Sequence, residues 1–196
     1  DFIEAGYTKV DDWKNINSKD LLDSMKKIAE SNADYLKQRG LSYVKQIDWI
    51  FKPNLNNQNK SVNYSYKVTW SDGEETMESK NIILAKKGHL ETAWVLAYNK
   101  DLNFQDEANF SKEFAEGIVF DEGFKYSDYK PGDKLAAVGI GGLVAGSLGV
   151  KAIAKSGLLV KLAKFWWILL APLAFMGRFL SGKESSSSSR GRRRKR

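Results

Sequence analysis

The sequence predicts an α+β fold: an antiparallel sheet of about four or more strands with flanking helices, joined to a C-terminal transmembrane helix. Three observations carry this. Apolar residues between 18 and 39 recur at helical spacing. Apolar residues between 41 and 98 alternate with polar ones between short turn signals. Residues 135–154 form a glycine-rich apolar stretch containing one charge.

In chain order, a short extended start leads to the first helix, expected over about 18–39. Leu21, Leu22, Met25, Ile28, Ala29 and Leu36 mark its apolar face, Asn17 or Ser18 its cap, Asp20 its first turn and Gly40 its end. The period then changes to two. Leu41, Tyr43, Ile47, Trp49 and Phe51 predict a strand, and Pro53 with the Asn-rich residues 54–59 a loop. Val62, Tyr64, Tyr66, Val68 and Trp70 alternate strictly with Ser61, Asn63, Ser65, Lys67 and Thr69, which predicts a strand with one buried and one wet face. The Ser71-Asp72-Gly73 turn leads to a strand at about 76–87 ending at Gly88. Another follows at about 89–98, with Leu90, Trp94, Leu96 and Tyr98 on one side. Short connections argue for a meander. A second helix at about 104–116 sets Phe110 and Phe114 one turn apart. From Phe120 to Asp133 aromatic and acidic residues mix, suiting either a membrane-interface belt or the last of the core.

Residues 135–154, LAAVGIGGLVAGSLGVKAIA, carry only Lys151 as a charge. Twenty helical residues span about 30 Å, the hydrocarbon thickness. Gly139, Gly142, Gly146 and Gly149 would fall on one stripe, a helix-packing surface suited to a second copy or another membrane protein. The next apolar stretch, Gly157–Leu180, is interrupted by Lys161, Lys164 and Arg178. Its uncharged core is short and holds Pro172, so over 155–182 an interfacial helix is expected, with a short second span as the competitor. Lys151, Lys155, Lys161, Lys164 and Arg178 are the expected lipid-facing basic residues. Residues 183–196 hold five serines and RGRRRKR, a tail expected to be disordered and to bind anionic lipid; its basic cluster could also meet RNA, but a nucleic-acid partner is not expected. The expected division is therefore a soluble domain at 1–134, the span at 135–154, the interfacial segment at 155–182 and the tail at 183–196. With basic residues kept on the cytoplasmic side, a single span places residues 1–134 outside.

Charge and composition narrow the function classes. The net charge of +7 conceals a balance of −4 over 1–134 and +11 over 135–196. The basic character belongs to the tail, so a nucleic-acid partner is not expected of the domain. There is no cysteine, which removes disulfides and thiolate chemistry, and the single histidine, His89, removes a His-pair metal site within the chain. The chain opens on Asp1 with no signal peptide, so a mature or N-terminally truncated polypeptide is expected.

No catalytic, metal or cofactor site is expected. His89 follows Gly88 at a turn, lacks a G-x-S-x-G context elsewhere in the chain, and is expected to be solvent-exposed. Asp11-Asp12 and Glu74-Glu75 are neighbours whose side chains diverge in an extended chain, and they are expected to be solvated. Asp121, Glu122, Asp128 and Asp133 lack the spacing of a calcium loop. The GIGG run has no following Gly-Lys-Ser/Thr and is no phosphate loop. Trp49, Trp70 and Trp94 are expected in the core.

Several stretches carry a likeness to a family. These are GYTKVDDWKNINSKDLLDSM (6–25), GLSYVKQIDWIFKPNLN (40–56), VNYSYKVTW (62–70), NIILAKKG (81–88) and FKYSDYKPGDKLAAVGIGGLVAG (124–146). In order and spacing the chain resembles the bacterial membrane-anchored proteins catalogued as domain of unknown function 2167, and departs from them at Asn54-Leu55-Asn56 and in its Ser/Arg tail. The resemblance implies an export signal and an upstream segment, an extracytoplasmic domain and an inner-membrane location, and transfers no catalytic residue. The resulting expectation is a non-enzymatic envelope module for binding or scaffolding. An envelope hydrolase, with active residues partly in an upstream segment, is the second class.

Overall fold

The computed structural model describes residues 1–97 and 102–150. They form an α+β unit around a five-stranded antiparallel sheet. Strands β1 (Phe2–Ile3), β2 (Val44–Asn56), β3 (Ser61–Trp70), β4 (Glu75–Leu84) and β5 (His89–Ala97) lie in the order β1-β5-β4-β3-β2. The four-strand meander is as the period-two pattern predicts. The added strand, β1, pairs Phe2 with Leu90 and Ile3 with His89 at the outer edge of β5. Helices are α1 (Ser18–Gln38), α2 (Phe104–Glu116) and α3 (Ile140–Ser147). The Asn17 side chain caps α1 by accepting from Lys19 N and Asp20 N, and Gly40 ends it at φ +66°.

The loop expected at Pro53 is strand instead. β2 runs through Pro53 to Asn56, with register shifts between Trp49 and Phe51 and between Phe51 and Asn54. An edge strand with bulges is where the missing proline N–H does no harm.

The sheet is covered on both faces, so the wet face expected for β3 is also buried. On one face Val62, Tyr64, Tyr66, Val68, Ile82 and Leu84 form a core with Met25 of α1 and Ile140, Val144, Leu148 and Val150. On the other, α2 lays Ala108, Ser111 and Ala115 over Ser61, Asn63, Ser65, Ser79 and Asn81, all buried. The polar groups of this second interface bond one another, except Asn63 Oδ1, which is buried without a partner. Asn63 Nδ2 donates to Asn81 Oδ1 (2.7 Å), and Asn81 Nδ2 to Thr92 Oγ1 (3.0 Å) and Ser111 Oγ (3.0 Å). Ser65 Oγ donates to Ser79 Oγ (2.7 Å), which in turn donates to Ser111 Oγ (2.9 Å). A buried polar group costs little once bonded, and the small side chains let helix and sheet approach closely.

The continuous helix expected over 135–154 is not formed across its described part, 135–150. Only eight residues, Ile140–Ser147, are helical, and among the described residues no helix is long and apolar enough to cross a membrane. The helix is stopped by its own sequence. Gly149 adopts φ +69°, its N–H donates to Gly146 O (3.0 Å), and Val150 N–H donates to Ala145 O (2.9 Å), a Schellman close. Ile140, Val144, Leu148 and Val150 fill the domain's core, and 135–150 belong to the same compact unit as the sheet. The expected interfacial segment at 155–182, the tail at 183–196, and Lys151, Lys155, Lys161, Lys164 and Arg178 lie outside the described residues.

Candidate functional site

Two places gather chemistry-bearing side chains. The first joins residues 6–12 to residues 126–141. Tyr7 pairs with Leu135 in a parallel bridge, Ala136 N donates to Tyr7 O (2.9 Å), and Ile140 N donates to Lys9 O (3.0 Å). The Tyr7 ring is stacked between Tyr126 (4.4 Å) and Tyr129 (4.0 Å), and Tyr126 Oη donates to Thr8 O (2.9 Å). Burial pushes the Tyr126 phenol well above its usual range, so it stays a donor. Asp12, expected in solvent, is half-buried and caps α3 from outside: its Oδ2 accepts from Gly141 N (3.2 Å). A carboxylate at a helix N-terminus meets both unpaired N–H groups and the positive end of the dipole.

The glycines of the expected stripe have separate local reasons. Gly139 is the N-cap residue, and a Cβ there would stand 2.6 Å from the Asp12 carboxylate. Gly142 packs on Val138, and Gly149 turns the chain out of the helix. Gly146 faces open space. Gly139 and Gly149 lie outside α3, so the four do not share a helical stripe.

The second place lies on the α3 side of the sheet, where β4 and β5 emerge from under the helix. Tyr66 Oη donates to Glu78 Oε2, and Glu78 Oε1 holds Lys80 Nζ at 2.8 Å. Lys80 Nζ also donates to Ser147 O (2.7 Å), a cation on the negative end of α3. Tyr64 Oη bonds Ser147 Oγ, which donates to Val144 O (2.9 Å). Burial raises both tyrosine phenols, leaving them protonated.

His89 stands at the end of this row. It is 2% exposed, not solvent-facing as expected, because Ile3 of β1 pairs over it. Its Nε2 lies 3.1 Å from Glu91 Oε1, while Nδ1 is buried without a hydrogen-bond partner. The hydrogen bond from His89 holds Glu91 below the usual glutamate range against the opposing effect of burial, with Lys80 helping. Gly88 makes room for this: a Cβ there would meet Ile3 O at 2.0 Å.

Most of these groups are satisfied by one another. The arrangement clamps α3 to the sheet, and the imidazole is closed off from any substrate in solvent. Two surface cavities, about 160 Å³ beside Lys86 and Asp133 and about 150 Å³ between α1 and β2, do not touch it and are small for ligand pockets. Among the described residues no three His, Asp or Glu stand close enough to share a metal ion. The acidic residues brace turns instead: Asp128 Oδ2 accepts from Gly123 N and Lys125 N, and Asp133 Oδ2 accepts from Lys130 N and pairs with Lys86 (3.4 Å).

Of the tryptophans, Trp49 and Trp70 pack against the main core, with Trp49 Nε1 donating to Ser18 O (3.0 Å). Trp94 lies on the α2 face between Phe110 and Phe114. Sequence reading missed the Tyr66–Glu78–Lys80–Ser147 chain. Its only signal was the charged pair Glu78 and Lys80 on the face that carries Ile82 and Leu84.

A family model described as "Protein of unknown function (DUF2167)" matches residues 1–177. No curated protein and no solved structure matches the chain.

Proposed function

Because the chain belongs to this family, DUF2167, and its Ile140, Val144, Leu148 and Val150 are spent in the domain core, we propose that it is a non-enzymatic binding or scaffolding module of the bacterial envelope, attached to the membrane by Gly157–Leu180. The observation that carries this is the burial of Ile140, Val144, Leu148 and Val150 against the sheet. It leaves 157–180 as the remaining long apolar stretch, flanked by Lys151, Lys155 and the basic cluster at 190–196. Lys161, Lys164 and Arg178 fall within a sector of about 100° on a helix, and Trp166 and Trp167 suit headgroup depth. These features favour a segment lying in the interface, with the basic tail on anionic lipid. The sidedness expected from a span at 135–154 no longer follows. The closed imidazole and the mutual satisfaction of Tyr66, Glu78 and Lys80 favour the non-enzymatic reading over a hydrolase.

Co-flotation of the full chain with vesicles containing anionic lipid tests this. Leu169→Asp with Leu170→Asp should abolish flotation and leave the melting temperature of the domain unchanged. Flotation that survives the double substitution would overturn membrane attachment through 157–180.

A further inference from the structure

Helix α2 meets the sheet through an interface with a polar centre, whereas α1 and α3 cover the opposite face with apolar side chains. The residues that α2 buries completely are small: Ala108, Ser111 and Ala115. Beneath them β3 and β4 present Ser61, Asn63, Ser65, Ser79 and Asn81, with Ile83 at one end of the row and Met77 at the other. Ser111 Oγ is the hub, accepting from Ser79 Oγ (2.9 Å) and Asn81 Nδ2 (3.0 Å). Two contacts grip the rim. Trp94 meets Phe110 (5.6 Å) and Phe114 (5.4 Å) edge-on, and Asn56 Nδ2 donates to Glu116 Oε1 (3.0 Å). Among the described residues, the core that joins α1, α3 and the other face of the sheet contains no residue of α2.

We propose that α2 is a lid, which lifts from the sheet as one unit while the sheet, α1 and α3 stay folded. Hydrophobic stabilisation scales with the apolar area removed from water, and two alanines and a serine carry little of it. The hydrogen bonds at the centre of the interface join amides and hydroxyls, groups whose bonds water replaces at small net cost. Asn63 Oδ1 is buried without a partner while the lid is closed and gains water when it opens. The main core lies on the far face of the sheet, so opening leaves it intact. A segment with these properties opens well below the free energy of global unfolding. The row it uncovers, Asn63, Ser65, Ser79, Asn81 and Thr92, offers amide and hydroxyl groups to the solvent. The lid is independent of how Gly157–Leu180 attaches the chain to a membrane.

The chain has no cysteine, so a single buried cysteine reports the opening that exposes it. Ser65→Cys lies under α2, and Val144→Cys lies in the main core; both positions are buried. On the full chain, a thiol reagent should label Ser65→Cys about a hundredfold or more faster than Val144→Cys. The urea dependence of its labelling should also be weaker, because less surface opens. Hydrogen exchange on the unmodified chain gives the same reading without a cysteine. The amides of Ala108–Ala115 should exchange together, through one opening, ahead of those of β3. Ser79→Cys with Ser111→Cys, at hydroxyls 2.9 Å apart, adds a lock. The oxidised pair should slow α2 exchange to the rate of β3, and reduction should restore it. Equal labelling of Ser65→Cys and Val144→Cys with equal urea dependence would overturn the proposal. So would α2 amides that exchange in the unmodified chain no faster than those of β3.

Discussion

Glu91 carries its charge because His89 bonds it, and that makes it the residue whose stability contribution depends most plainly on pH. Its folded pKa is depressed. The stabilisation is therefore fully present above the ordinary glutamate value of about 4.3 and is lost as pH falls through the lower folded value. Acid unfolding followed by circular dichroism should show a shallower acid limb for Glu91→Gln than for the wild type, with the two curves running parallel above pH of about 6. The pairing itself was not legible in the sequence. A lone histidine after a glycine reads as a turn residue. Only the β1 strand, two residues long and eighty-odd positions away, closes the site over it.

The element that most altered the reading is α3. The stretch that holds it, 135–154, meets the length and polarity test for a span, because that test asks only what a segment is made of. What decides the outcome is termination: Gly149 and Val150 stop the helix, and Asp12 starts it from a distant part of the chain. Two substitutions separate the roles. Gly146→Ala places a methyl in open space and should stabilise the domain by about 0.5–1 kcal/mol through helix propensity. Ile140→Ala empties a fully buried position and should cost about 2–5 kcal/mol. Urea denaturation of both variants measures the contrast, and a membrane-packing role for the helix predicts the opposite ordering in solution. The other elements were easier to read. Helix α1 has its cap, its periodicity and its terminal glycine in sequence order. The meander strands have unambiguous turns. For β3 the alternation was real, but serine and asparagine at 61, 63 and 65 are small enough to be buried, and Ala108, Ser111 and Ala115 form the matching stripe on α2. Short polar residues opposite a small-residue helix stripe are the signal that marks a second covered face.

At the scale of the molecule, the sequence motifs that lie farthest apart are neighbours in space. Gly6–Asp12 and Tyr126–Gly141 form one seam, and the stacking of Tyr7 between two tyrosines of the second stretch holds it. This explains why neither stretch shows catalytic spacing: each is half of a structural joint. It also sets the order in which the domain can be completed. The hairpins from Val44 to Ala97 can pair as soon as they are made, and α1 can cover part of the face through Met25, but the cover over Tyr64, Ile82 and Leu84 is completed only when Ile140, Val144 and Leu148 arrive. Closing the long loop between Tyr7 and Leu135 adds only about 0.6 kcal/mol of entropy per doubling of length, so the delay is one of kinetics rather than stability. A polypeptide built this way keeps part of its core face open for most of its synthesis and seals it last, which makes the nascent chain, rather than the finished domain, the state most dependent on chaperones.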